Sequence, residues 1–200
     1  PISSLTHGMN KILLDTSPED LQQLNRDKMV EMGVRETVIN EFLHNPAYSP
    51  RHKTILVHAL AEMQGVKNRE QFIKKALFAE YEEEAFLYQR MAEMLYGYHT
   101  HVKPIKELVP VRKFAVGYTS DQTVVATFPI DLLYWTELSD LGSAALAKLD
   151  LSGRPIKKTE LWFTGSLTPK AMQELSARGL EIKELAGEIL MPAEEPSEEQ

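Results

Sequence analysis

Two of the six histidines in the chain, His99 and His101, stand one residue apart in the segment LYGYHTHVKPI. In an extended segment, residues i and i+2 point to the same side, so both rings could reach one metal ion. Two nitrogen ligands are too few for a structural zinc ion, which takes four protein ligands. We therefore expect that the pair marks the end of a helix and binds no metal. Both histidines stay candidates for contact with another ligand.

The absence of cysteine removes several kinds of chemistry. Disulfides, thiolate zinc sites, iron–sulfur clusters and thiol nucleophiles are all excluded. A carboxylate-bridged dimetal site needs two Glu-x-x-His pairs, and the chain offers one, Glu41 and His44. The G-x-S-x-G motif of a serine nucleophile elbow does not occur. We expect no catalytic constellation, no metal and no cofactor.

A small-residue turn in WFTGSLTPKAMQEL joins a predicted strand to a predicted helix. Free N–H groups at such a helix start could hold a phosphate or a carboxylate, which makes Thr164, Ser166 and Thr168 candidate ligand-binding residues. The same residue types are ordinary helix caps, and the turn lacks the repeated glycines of a phosphate cradle. Asp131 could line a pocket or cover one end of a sheet. These alternatives stay open.

Residues 17–99 carry helix signals almost throughout. Capping residues followed by apolar positions at helical spacing predict about four helices. Ser17 and Ser49 are predicted caps, and Gly33 and Gly65 are predicted ends. The last helix, residues 69–98, is the longest.

The second half of the predicted helix 69–98 is apolar on several sides. Such a helix is central to a bundle or offers its spare face to a partner. Methionine-rich surfaces suit adaptable contacts. The candidate partner-binding residues are Phe86, Leu87, Met91 and Met94. If this interpretation holds, Met94→Lys abolishes association with little loss of stability.

The hydrophobic period changes from helical to alternating after Pro110. A polar turn at Ser120-Asp121-Gln122 predicts a hairpin, and two helix–strand pairs follow it. The predicted order is β-β-α-β-α-β, with every strand inside residues 112–190. The last three elements form a βαβ unit, which predicts a parallel pair of strands.

These patterns predict an α+β fold in which an N-terminal helical bundle packs on a small C-terminal α/β unit. We expect a helical domain over residues 1–110, an α/β domain over 111–191 and an acidic flexible tail over 192–200.

Charge and hydropathy exclude two classes of partner. The formal net charge is −7, and four of the negative charges lie in the last seven residues, EEPSEEQ. The remaining charges are mixed, without the clustered lysine and arginine that nucleic-acid binding requires. No apolar run approaches the roughly 18 residues that span a bilayer. Because the chain begins at Pro1, we expect an upstream segment to have been removed, and the protein to be soluble and either cytoplasmic or exported.

The sequence therefore favours a non-catalytic binding or assembly module that acts through protein–protein contacts, with a protein partner or self-association. The alternative is a small-ligand-binding protein or an enzyme that uses a pocket between the helical and α/β halves, where clefts tend to form.

Overall fold

The computed structural model of the protein describes residues 4–192. Over that range the protein is a mixed α+β fold with nine helices and a five-stranded mixed sheet. The helices are α1 (Ser4–Asp15), α2 (Pro18–Glu31), α3 (Glu36–His44), α4 (Pro50–Glu62), α5 (Glu70–Ala76), α6 (Glu82–Gly97), α7 (Glu137–Ala147), α8 (Pro169–Ala177) and α9 (Gly187–Leu190). The strands are β1 (Ile105–Val111), β2 (Phe114–Thr119), β3 (Thr123–Phe128), β4 (Leu132–Leu133), β5 (Lys158–Phe163), β6 (Ser166–Leu167) and β7 (Glu181–Lys183). The predicted acidic tail lies outside the described residues, apart from Pro192.

The predicted helix ends are confirmed by their cap geometry. The hydroxyls of Ser17 and Ser49 accept hydrogen bonds from backbone N–H groups three residues later, at 3.1 and 3.2 Å. Gly33 and Gly65 adopt positive φ angles of 77° and 78°, a conformation that favours glycine. Six helices precede β1, two more than the sequence predicted.

The long helix predicted over residues 69–98 is broken into α5 and α6. Tyr81, which precedes α6, is extended, with φ −132° and ψ 161°. The first turn of α6 contains Glu82, Glu83 and Glu84, and the Glu84 carboxylate accepts a hydrogen bond from the Glu80 N–H at 2.8 Å. Negative side chains stabilise the amino end of a helix, so the acidic run starts a helix here. A π-helical turn, Tyr98–Val102, follows α6.

The five-stranded sheet has the order β1-β2-β3-β5-β7. Strands β1, β2 and β3 pair antiparallel, and the predicted hairpin between β2 and β3 is confirmed. Strands β5 and β7 pair in parallel around α8, as the βαβ pattern predicted. Strands β3 and β5 also pair in parallel, with α7 between them in sequence. Two short strands, β4 and β6, form a separate parallel pair.

Strand β1 corrects the prediction that every strand lies within residues 112–190. It ends at Val111, and Pro110 lies inside it. Proline is tolerated there because β1 is an edge strand, where a missing N–H breaks no ladder. Lys67 covers part of the outer edge: its N–H donates to Lys106 O at 2.9 Å, and its carbonyl accepts from Leu108 N at 3.0 Å.

The sheet lies between two helical layers. One face contributes Leu108, Val125 and Trp162 to an apolar core that continues through α6 into α3, α4 and α5. The other face contributes Val116, Tyr118, Val124, Leu161 and Phe163 to a second core with Leu146 of α7 and Leu175 of α8. Helix α6 therefore packs against helices on one side and strands on the other. The division of the chain into domains at residue 110 stays a prediction.

Candidate functional site

The six candidate ligand-binding residues lie at opposite ends of the sheet. His99 and His101 are in the π-helical turn, beside the start of β1. Asp131 follows β3, and the turn 164–168 follows β5, so both lie at the carboxyl ends of these strands. A six-residue strand spans roughly 20 Å. The structure therefore brings Asp131, Thr164, Ser166 and Thr168 together and separates them from the two histidines.

The two histidines differ in their surroundings. Nδ1 of His99 accepts a hydrogen bond from the Ile105 N–H at 3.0 Å, which places the ring proton on Nε2. Burial lowers the pKa of His99, so the ring is neutral at neutral pH. His101 is exposed. Over residues 4–192, we find no group of three or more histidine and acidic side chains that could hold a metal ion.

A buried carboxylate, Glu160, lies near the same end of the sheet. Its Oε2 accepts hydrogen bonds from the Tyr98 hydroxyl at 3.0 Å and from the indole N–H of Trp162 at 2.9 Å. Its Oε1 lies 2.6 Å from Nζ of Lys158. Burial raises the pKa of Glu160, but the three donors outweigh it and hold the pKa below its usual value.

This ionised, fully paired carboxylate has the properties of a structural anchor. Each of its oxygens already accepts a hydrogen bond, so it is poorly placed to take a proton from a substrate. Tyr98 also contacts Trp162 edge to face, with the ring centroids 5.4 Å apart. The cluster joins the π-helical turn to β5 and fixes the position of α6 against the sheet.

The backbone amides of the turn after β5 are all used within the protein. The amides of Thr164, Gly165, Ser166 and Thr168 donate to carbonyls of residues 128–133 at 2.9 to 3.2 Å. The Leu167 amide donates to the Glu184 carboxylate at 2.6 Å. In this conformation no amide of the turn points toward an open anion site.

The hydroxyls of the two threonines in this turn also have partners within the protein, and the turn lies close against the loop that contains Asp131. Thr164 donates to Ile130 O at 3.3 Å, and Thr168 donates to Leu133 O at 3.2 Å while it caps α8. A Cβ added to Gly165 would lie 1.9 Å from Asp131 O, so the two loops touch at that glycine. A ligand role for Asp131, Thr164, Ser166 and Thr168 stays a prediction.

The four candidate partner-binding residues do not share one surface. Phe86 is half exposed, and its ring lies 5.9 Å from that of His52. Leu87 is partly buried against the first apolar core, and Met91 and Met94 are fully buried within it. Apart from Phe86, the chain itself covers the apolar residues of α6 wholly or in part, because α6 lies between the helical layer and the sheet.

A different helix, α7, exposes the apolar face that the sequence attributed to α6. Leu138 and Leu141 are 77% and 44% exposed, whereas Ser143 on the opposite side is buried. Tyr134, just before the helix, is 61% exposed. We name the exposed residues Tyr134, Leu138 and Leu141 the α7 face. Its signal in the sequence is that leucines occur on both sides of a short helix, at positions 138 and 141 and again at 146.

Capping and an ion pair hold α7 in this orientation. Thr136 and Ser139 form a reciprocal capping box at its start. Arg178 of the α8 C-terminus pairs with Asp140, and its guanidinium lies 4.7 Å from the ring centroid of Trp135. The exposed leucines therefore lie on a helix that is fixed at its amino end.

Two cavities lie in the helical half of the described chain. One of about 320 Å³ is lined by residues 46–49 and 80–82. Another of about 120 Å³ lies between α2 and α4 and is lined in part by Asn25 and Lys53. Neither cavity is lined by Tyr98 or Trp162, which contact each other at the junction between the end of α6 and the sheet.

Comparison with known proteins gives no relative: no family model, no curated protein and no solved structure matches the chain. In the described range, moreover, none of the helices has both the length and the apolar character that crossing a membrane requires.

Proposed function

We propose that the chain is a non-catalytic binding or assembly module that acts through protein–protein contacts. The observation that carries this proposal is the α7 face. A helix that buries a serine and leaves two leucines in water is unfavourable for an isolated chain, because apolar burial is the main driving force of folding. Exposed apolar groups of this kind mark interaction surfaces.

The α7 face is a better contact surface than the exposed aromatics of the helical half. Leu138 and Leu141 are three residues apart and adjacent on the helix surface. Phe78, Tyr81 and Phe86 are also exposed, but glutamates at 80 and 82–84 lie between them in sequence. Asp140 lies between Leu138 and Leu141 in sequence, but it points to another side of α7, where it pairs with Arg178. Since charged residues are depleted from the centres of protein interfaces, the α7 face has the more favourable composition.

The alternative function, a small-ligand site or an active site between the helical and α/β halves, has less support. The histidines lie at one end of the sheet and the 164–168 turn at the other, so one small ligand could not contact both. The buried acid nearest to the histidines, Glu160, is ionised and fully paired. These features favour a binding module over an enzyme.

Site-specific photocrosslinking tests the proposal. A benzophenone amino acid replaces Leu138 in the full chain, which is expressed in its own cells and irradiated. A matched chain carries the same group at Leu14, an exposed leucine of α1. We expect an abundant protein adduct from position 138 and little from position 14. Equal adducts at both positions, or none at 138, would contradict the proposal.

A further inference from the structure

The two leucines of the α7 face lie beside a glycine of the same helix, Gly142. At 100° per residue, Leu138 and Leu141 fall on one stripe, opposite to the buried Ser143, whereas Ala145 packs partly against the second apolar core. Gly142 borders this stripe, and nothing lies within 4 Å of the position that its Cβ would occupy. A second helix could therefore approach the α7 backbone closely at Gly142.

Two opposite charges flank the stripe on the same side. Glu137 begins α7 and Lys148 follows its last residue, so the two are eleven residues, or about 16 Å, apart. Eleven residues make just over three helical turns, which places both charges on one flank of the stripe. Both side chains are exposed, and neither has an ion-pair partner among the described residues.

This arrangement matches itself in the antiparallel orientation. A two-fold axis across a pair of antiparallel helices maps each flank of one helix onto the same flank of the other. With the axis between Gly142 and Ser143, Glu137 of one copy meets Lys148 of the other, and this ion pair forms twice. In a parallel pair the charged flank would instead meet the flank that carries Gly142.

We propose that the α7 face binds a second copy of this chain, with the two α7 helices packed antiparallel across Gly142. The inference rests on the proposed function and names its partner. Leu138 and Leu141 of each copy cover the backbone of the other near the two-fold axis. The Glu137–Lys148 pairs set the orientation of the two helices, since charge pairs at the edge of an interface fix its register.

The edges of the sheet are less suited to self-association. The outer edge of β1 is partly covered by Lys67 and contains Pro110, and β7 is only three residues long. Short edges and proline both oppose strand pairing between copies. The α7 face is small beside a standard interface of roughly 20–30 residues a side, so we expect a weak, concentration-dependent dimer.

Charge reversal tests the proposal by sedimentation velocity on the full chain, from about 5 to about 500 μM, a range that brackets a Kd of about 50 μM. We expect the wild type to shift from one chain to two. Glu137→Lys alone and Lys148→Glu alone each place like charges together twice, and we expect each to weaken association by about tenfold or more. A mixture of the two variants restores both attractive pairs, so it should dimerise at wild-type concentrations.

Matched controls separate this interface from general charge effects. Glu31→Lys and Lys113→Glu change the same charges at exposed positions away from α7, and we expect no effect on sedimentation. Wild-type dimerisation without rescue in the mixture would overturn the antiparallel pairing. A wild type that stays a single chain throughout would overturn self-association. An adduct at position 138 with a different protein would also overturn it, while leaving the proposed function intact.

Discussion

Helices α6 and α7 both carry more apolar residues than one buried face requires, yet the fold treats them in opposite ways. In α6, Met91 and Met94 are buried, because helices cover one side and the sheet covers the other. In α7, Leu138 and Leu141 remain exposed, because the sheet covers only the side that carries Leu146. Apolar residues around a helix therefore do not distinguish a central helix from one with a free face. The number of layers packed around the helix makes the difference.

The largest expected effect comes from placing a charge on each helix. Met94→Lys buries an unpaired ammonium group in the core, and we expect a loss of about 3–5 kcal/mol in the free energy of unfolding. Leu138→Lys places the same group in water, so its effect should stay within about 0.5 kcal/mol. Urea denaturation by circular dichroism measures both. Equal losses would show that α7 is buried as deeply as α6, and would remove the basis for an interaction face.

The two helices also contain one glycine each, in opposite environments. A Cβ on Gly97 would lie 1.6 Å from Leu190 O, so Gly97→Ala must displace α9, at a cost of about 2–3 kcal/mol. Gly142 has open space around it, and Gly142→Ala should raise the free energy of unfolding by roughly 0.5–1 kcal/mol through helix propensity. Thermal unfolding at low protein concentration compares the two variants. A neutral Gly97→Ala would mean that α9 does not pack against the end of α6.

The smallest effect is expected from removing one tyrosine hydroxyl next to each helix, that of Tyr98 after α6 or that of Tyr134 before α7. Tyr98→Phe removes one of the donors to the buried Glu160, and we expect a loss of about 1 kcal/mol, since two other donors remain. Tyr134→Phe removes a hydroxyl from an exposed ring and should be neutral within about 0.5 kcal/mol. Urea midpoints at pH 7 provide the measurement.

The same carboxylate predicts a dependence of stability on pH. The pKa of Glu160 in the folded protein lies below its value in the unfolded chain. The contribution of Glu160 to the free energy of unfolding is therefore complete above the unfolded pKa, about 4.3. That contribution is lost as the pH falls through the folded pKa. Glu160→Gln cannot titrate, so its stability should fall less steeply than that of the wild type below about pH 4.3. Parallel slopes for the two proteins would contradict a lowered pKa at this position.

Local signals in the sequence predicted most of the elements and the order of the α/β half. Caps such as Ser17 and Ser49 act within a few residues, and so does the turn at Ser120–Gln122. Strand β1 was missed because Pro110 resembles a boundary unless the strand is known to lie at an edge. The helix predicted over residues 69–98 does not include the break before α6, because the acidic run at residues 80–84 is equally compatible with a solvated helix and with a helix start.

The candidate sites depended on contacts between distant segments, which the sequence pattern did not reveal. His99 and Thr164 are both polar residues next to the end of a helix or strand, but they lie at opposite ends of the sheet. The amides of the 164–168 turn could be predicted as free donors. Their partners in residues 128–133 and at Glu184 became evident only in the folded chain.

Composition and short-range geometry are sufficient to predict the absence of thiol chemistry, the helix caps, the hairpin turn and the parallel pair around α8. The exposure of the apolar residues of α6 and α7 became evident only in the folded chain. The same is true of the ionised state of the buried Glu160 and of the contact between Gly97 and α9. The physical reason is that burial and pairing depend on what packs from elsewhere in the chain, and periodicity within one element does not contain that information.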